Sequence, residues 1–126
     1  STQRLSADAC QKLLDQVMAD STVAFARGSA KLRPTSHGLL DRMAQTAVDC
    51  GTRFRITGHI DGTSLELGLD DLDRGRADAT AAYLAAKGVA REQLVTEGAG
   101  SSQPVADNST VQGQARNRRV EIMVMP

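Results

Sequence analysis

Between Arg53 and His59 the chain alternates without a break: Phe54, Ile56 and Gly58 point one way, Arg55, Thr57 and His59 the other. A period of two with one apolar face describes a half-buried strand, and no helix can satisfy it. Helical spacing flanks this strand on both sides. Upstream, Pro34 can open a helix carrying Leu39, Leu40, Met43, Ala44, Ala47 and Val48 that stops before Gly51. Downstream, Asp73 reads as the N-cap of a helix running through Ala77, Ala81 and Leu84 to Lys87, where Gly88 ends it.

The remaining segments extend this pattern. Ser6 can cap a leading helix that reaches about Met18 with Ala9, Leu13, Leu14, Val17 and Met18 as its apolar stripe. Short strands are predicted at Thr22–Ala26 and Gln93–Glu97, and a closing strand at Arg118–Met125 with Val120, Ile122 and Val124 inward. Gly28–Pro34 and Asp61–Asp71 read as loops, and Gly98–Gln114 as mostly loop. The order is helix, then β-α-β-α-β-β, which predicts an α/β (α+β) sandwich: a mixed sheet with helices packed on one face. Residues 1–21 form an N-terminal helical segment on this reading, and 22–126 the domain proper.

The core must be built from Leu, Val, Ile, Met and Ala, because there is no Trp, one Tyr and two Phe among 126 residues. So few aromatics argue against a nucleic-acid module that stacks bases. Fifteen basic and fifteen acidic residues cancel. The chain therefore lacks the long-range field that gathers nucleic acid or anionic membrane, and a charged ligand must be caught locally. No apolar run approaches a membrane span. The chain begins at Ser without an export signal and reads as a domain cut from a longer precursor.

Cys10 and Cys50 are too far apart for a CxxC motif, and His37 and His59 do not complete a metal set. Two readings stand for the cysteines: buried thiols, or a disulfide closing a loop of 41 residues (10 through 50), worth about 4 kcal/mol. The acidic run Asp70, Asp71, Asp73 lacks the Gly and terminal Glu of a calcium loop. Gly98-Ala99-Gly100 lacks the third Gly of a dinucleotide fingerprint. His59 and Asp61 share a strand face, but nothing assembles a nucleophile and oxyanion hole beside them. No cofactor is expected, and no catalysis.

The downstream helix carries the clue to a site. With Asp73 as N-cap, Arg76 falls in the first turn, where unpaired N–H groups already make the helix end positive. A guanidinium there is reasonable if an anion joins it. Asp61 leaves the end of the Arg53–His59 strand, at the mouth of the same connection. An acid and an Arg brought together there can hold a zwitterion, ammonium to acid and carboxylate to base. The alternative is a surface ion pair, Arg76 with Asp61, Asp71 or Asp73, of little energetic weight.

Gly58-His59-Ile60-Asp61, Leu72-Asp73-Arg74-Gly75-Arg76-Ala77, Gly98-Ala99-Gly100, Pro104-Val105-Ala106 and Asn117-Arg118-Arg119-Val120-Glu121-Ile122 follow in an order and spacing that resemble the OmpA-like peptidoglycan-associated domain. Phe25 with Ser29, Ala30 and Leu32 fits the start of the same pattern, so the resemblance covers about residues 22 to 126. It implies a non-catalytic module that grips the diaminopimelate of the peptidoglycan stem peptide through Asp61 and Arg76, fifteen residues apart. Arg118 would border the pocket or hold the last strand in register, and Asn117 would be structural. Cys10 paired with Cys50 resembles a subset of the family that carries one disulfide, which implies an oxidising compartment.

Three positions depart from the family pattern: Ile60 stands where Thr is usual, Leu69 where Asn is, and Ser64 where Gly is. Ile60 and Leu69 cannot offer those side-chain hydrogen bonds and would make the pocket floor more apolar. Two such bonds correspond to about 5- to 150-fold in affinity. Two functions are therefore carried forward. One is wall anchoring in the periplasm or cell envelope, for a parent protein that is membrane-associated through a segment not in this chain. The other is a protein-interaction or structural domain whose pocket has drifted.

Overall fold

The computed structural model describes residues 5–19 and 21–125; the outermost positions of the predicted N-terminal segment, 1–4 and 20, lie outside the described residues. Helix α1 (Ala7–Val17) is capped by Ser6, whose Oγ accepts from Ala9 N at 3.1 Å. Strand β1 (Val23–Ala24) is followed, after a 3-10 turn at Pro34–Ser36, by α2 (His37–Cys50), which ends on Gly51 in the left-handed conformation. Then come β2 (Arg53–His59), a single helical turn α3 (Ser64–Leu67), α4 (Leu72–Ala86), β3 (Leu94–Gly100), α5 (Val111–Asn117) and β4 (Arg119–Met125).

The sheet order is β1-β4-β2-β3, with β2 antiparallel to β4 and parallel to β3. Helices α2 and α4 pack together, and their apolar faces meet Phe54 and Ile56 of β2 and Val120 and Ile122 of β4 in one core. This is the expected mixed sheet with its helices on one face. Helix α1 lies against α2 through the buried Cys10 and Leu14, and Gln11 Oε1 accepts from Val124 N on β4 at 2.8 Å. Cys10 and Cys50 are bonded, with their Cα atoms 5.9 Å apart.

Five local expectations are corrected, the first being that the expected Asp61–Asp71 loop contains the helical turn α3. β1 has two residues rather than five, because the chain leaves the sheet once Val23 and Ala24 have paired with Val120 and Arg119. β3 runs on through Gly98–Gly100, and Gly98 together with Gly58 of β2 lets the first turn of α4 press on the sheet. A Cβ on Gly98 would come within 2.3 Å of the Asp73 carboxylate, and one on Gly58 of β2 within 1.8 Å of Asp73 O. Within the expected loop before β4 sits α5, capped by Thr110, whose Oγ1 accepts from Gly113 N. Finally, Asp73 is not a cap. Asp71, at φ 56°, opens α4 with no side-chain cap, and the Asp73 carboxylate accepts from Gly100 N at 2.9 Å instead. Arg76 therefore lies one full turn inside the helix, beyond its free N–H groups.

Candidate functional site

The tight seat of α4 on Gly58 and Gly98 carries Arg76 beneath the C-terminal end of β2. Its side chain is fully buried, and all five of its guanidinium N–H groups are engaged. Nε donates to Ser29 O (3.0 Å), Nη1 to His59 O (3.0 Å) and Glu66 Oε1 (2.8 Å), and Nη2 to Ala26 O (3.2 Å) and Glu66 Oε2. The Phe25 ring lies 5.3 Å from Cζ, at cation–π distance. Glu66, also fully buried, is equally saturated: Oε1 accepts in addition from Asp61 N (2.9 Å) and Oε2 from Gly28 N (2.7 Å). A buried ion pair repays its desolvation only when every remaining hydrogen-bonding group is satisfied, and here it is. The pair ties the β1 exit, the end of β2, α3 and α4 into one unit.

That unit holds Asp61 by its backbone. The Asp61 carboxylate turns away from Arg76: Oδ1 accepts from Thr63 N (2.9 Å) and from Thr63 Oγ1, and Oδ2 accepts from Arg118 Nη1 at 2.9 Å. Arg118 is fixed in turn by Nε donating to Phe25 O at 3.0 Å, and its other three N–H groups have no partner among the described residues. Arg27 Nε stands 4.0 Å from Asp61 Oδ2, with its side chain 40% exposed while Asp61 is sealed. Sequence reasoning thus placed Asp61, Arg76 and Arg118 in one cluster, but Asp61 and Arg76 each have another partner.

Ile60 is buried beside Asp61, its N–H donating to Gly100 O at 3.1 Å. Leu69 is 45% exposed and so does not form a buried pocket floor. Asn117 is structural: Oδ1 accepts from Val105 N and Ala106 N, and Nδ2 donates to Ala106 O and Asn108 Oδ1. His59 is buried, and neither ring nitrogen has a hydrogen-bond partner among the described residues. Its Nε2 is 2.9 Å from Glu121 Oε1 but poorly aligned for a hydrogen bond, so this is an electrostatic contact at most. Burial, then the nearby Arg119, lowers its pKa against the opposing pull of Glu121. Glu66 and Arg27 are the two site residues that sequence reasoning missed.

Burial is the largest influence on both site carboxyls and opposes their ionisation. It is outweighed at Asp61 by the two Thr63 donors and Arg118, and at Glu66 by Arg76 and the Gly28 and Asp61 N–H groups, so both pKa values are lowered. Lowered folded-state values stabilise the fold above the ordinary values of 3.8 and 4.5, and that contribution is lost as pH falls through the lower folded values. Denaturant melts from pH 7 to pH 2 should show stability falling from near pH 4.5 downward, less steeply in Asp61→Asn. Equal stability at pH 7 and pH 2 would contradict the ionised cluster.

Against known proteins, the family model described as "OmpA family" matches residues 24–118. The peptidoglycan-binding protein ArfA of Mycobacterium tuberculosis is 41% identical over 103 residues, covering 81% of this chain and 32% of that protein. Outer membrane protein A of Bordetella avium is 36% identical over 112 residues, covering 87% and 57%. The chain thus spans from just under a third to just under three-fifths of these relatives' length. The solved structure of the cell wall anchor of the T6SS from Pseudomonas aeruginosa superposes with a TM-score of 0.72 at 29% identity, covering 98% of this chain and 99% of that one.

Proposed function

Because the chain belongs to the OmpA family, we propose that it is a non-catalytic module that binds peptidoglycan and anchors its parent protein to the wall from the periplasmic side of the cell envelope. The observation that carries this reading is the Asp61 carboxylate. It is held rigidly at the end of β2, with Oδ1 taken by Thr63 and Oδ2 by Arg118, and it is fully buried beneath Arg27, whose 40% exposed side chain stands 4.0 Å away. A carboxylate flanked by guanidiniums with spare donors matches the ammonium and carboxylate of an amino-acid centre, such as the free end of diaminopimelate in a stem peptide. ArfA is named as a peptidoglycan-binding protein and the Pseudomonas structure is that of a cell wall anchor, which supports the same reading, and Outer membrane protein A supports the envelope location.

On this reading Asp61 takes the ammonium and Arg118 contributes to the carboxylate. Arg76 is a positioning residue, since it could reach a ligand only by giving up one of its five bonds. Ile60 lines the buried side of the site and Leu69 its rim. Asp61→Asn keeps the shape and the Arg118 contact but removes the charge. Retention of the purified domain on sacculi should fall at least tenfold, about 1.4 kcal/mol, with the fold intact. Undiminished retention would overturn the proposal.

A second reading has an observation of its own. Leu65, Leu67 and Leu69 are 63, 57 and 45% exposed along one short stretch. A cluster of this kind also suits a protein partner, and sacculi that retain neither wild type nor variant would favour it.

A further inference from the structure

The proposed site contains three guanidiniums, Arg27, Arg76 and Arg118, against two carboxylates, Asp61 and Glu66. Arg76 is matched to Glu66 and Arg118 to Asp61, which leaves Arg27 as the surplus cation. It is also the half-exposed member of an otherwise sealed cluster, and so the side chain that can move at least cost. Its guanidinium also has a partner outside the cluster. Arg27 Nη2 donates to Gln114 Oε1, across 87 residues of sequence. The Gln114 amide is oriented by Nε2 donating to Asn108 O at 2.8 Å, so that its oxygen faces Arg27. Gln114 itself is carried on α5, whose start is capped by Thr110. Asn108 approaches Gly62 so closely that a Cβ there would lie 2.3 Å from Asn108 Nδ2. Thr63, Arg118 and Arg27 enclose the Asp61 carboxylate, which has no exposed surface, so a ligand reaches it only when Arg27, the exposed member, swings aside.

We infer that Arg27 is a specificity-determining residue that reads whether the ligand's amino-acid centre carries a free carboxylate or a carboxamide. In the free site Arg27 leans on Asp61 from 4.0 Å, too far for a hydrogen bond. An arriving ammonium takes over Asp61 Oδ2, and the freed guanidinium turns to the carboxylate beside that ammonium, using a fork geometry that suits a carboxylate. A carboxamide offers no charge to this fork. Its ammonium would still meet Asp61, while Arg27 would lose one partner and gain a weaker one.

This inference rests on the proposed peptidoglycan site, and its test separates the two. Calorimetry would compare two synthetic stem peptides, identical except for a free carboxylate or a carboxamide at the diaminopimelate side-chain centre, on wild type, Arg27→Gln and Arg27→Lys. Wild type should prefer the carboxylate about tenfold, the difference between a charge-assisted and a neutral hydrogen bond. Arg27→Gln should bind both peptides equally, its affinity for the carboxylate peptide falling to that for the carboxamide, and Arg27→Lys should restore part of the preference. A preference unchanged in Arg27→Gln, or an equal loss for both peptides, would overturn the role of Arg27 and leave the site standing. Wild type that binds neither peptide while remaining folded would remove the site and this inference together.

Discussion

Glu66→Ala should cost the fold roughly 3–5 kcal/mol, the penalty of leaving a buried charge without its counter-ion. Arg76 would remain fully buried with two of its five donors orphaned, and the N–H groups of Gly28 and Asp61 would lose their acceptor. Stability of a domain this size is of order 5–15 kcal/mol, so the variant would sit near the threshold of unfolding. Denaturant titration gives the measurement. A shift under about 1 kcal/mol would show that water or another acid replaces Glu66. A companion variant, Glu66→Leu with Arg76→Met, tests the physics from the other side. Apolar replacement of a buried pair is near neutral only where it strands no other polar group. Here the carbonyls of Ala26, Ser29 and His59 and the N–H groups of Gly28 and Asp61 would lose their partners. The double change should therefore recover only a minor part of the stability lost by Glu66→Ala. It should not recover ligand binding, because Asp61 N would lose its anchor on Glu66 Oε1.

That Glu66 matters so much was not legible in the chain. Burial is inverted around it: Leu65 and Leu67 face solvent while the acid between them is sealed. Binary pattern assigns the opposite, and such inversions gather where a site overrides the local rule. Nor is Glu66 a helical i,i+4 neighbour of Arg76. It sits ten residues away on α3, reached only once α4 has docked on the sheet. By contrast, β2 was readable to its ends, because alternation and the flanking turn residues all point to one answer. Helix α5 has the sequence Val-Gln-Gly-Gln-Ala-Arg-Asn, with no apolar stripe to announce it. It is held by the Thr110 cap and by a close approach of Gly113 to Asp107 O, where a Cβ would come within 1.7 Å. The mistaken cap at Asp73 has a similar origin. A cap is inferred from residue type, and here the acid serves a tertiary partner, Gly100, while the helix begins without side-chain help. Arg76 accordingly drew its apparent role from a helix end that it does not occupy.

Opening the Cys10–Cys50 bond is the second large effect expected. The bond spans a separation of 40 residues, and in the chain-entropy account releasing a loop of that length costs about 4 kcal/mol. Cys10→Ala with Cys50→Ala, or reduction of the native protein, should therefore lower the melting temperature by well over ten degrees. Loss of stability does not imply loss of the site. Every bond that fixes Asp61, Arg76 and Arg118 comes from residues between Phe25 and Arg118, none of them on α1. Helix α1 is held otherwise by the buried Leu14 and by Gln11 on Val124 N, so it is the element that reduction should loosen first. Below the lowered melting temperature, the reduced domain should bind sacculi as the oxidised one does, while amide hydrogen exchange quickens in Ala7–Val17 ahead of α4. Exchange that quickens equally in both helices would mean that α1 belongs to the cooperative core, and that the disulfide secures the whole domain rather than one helix upon it.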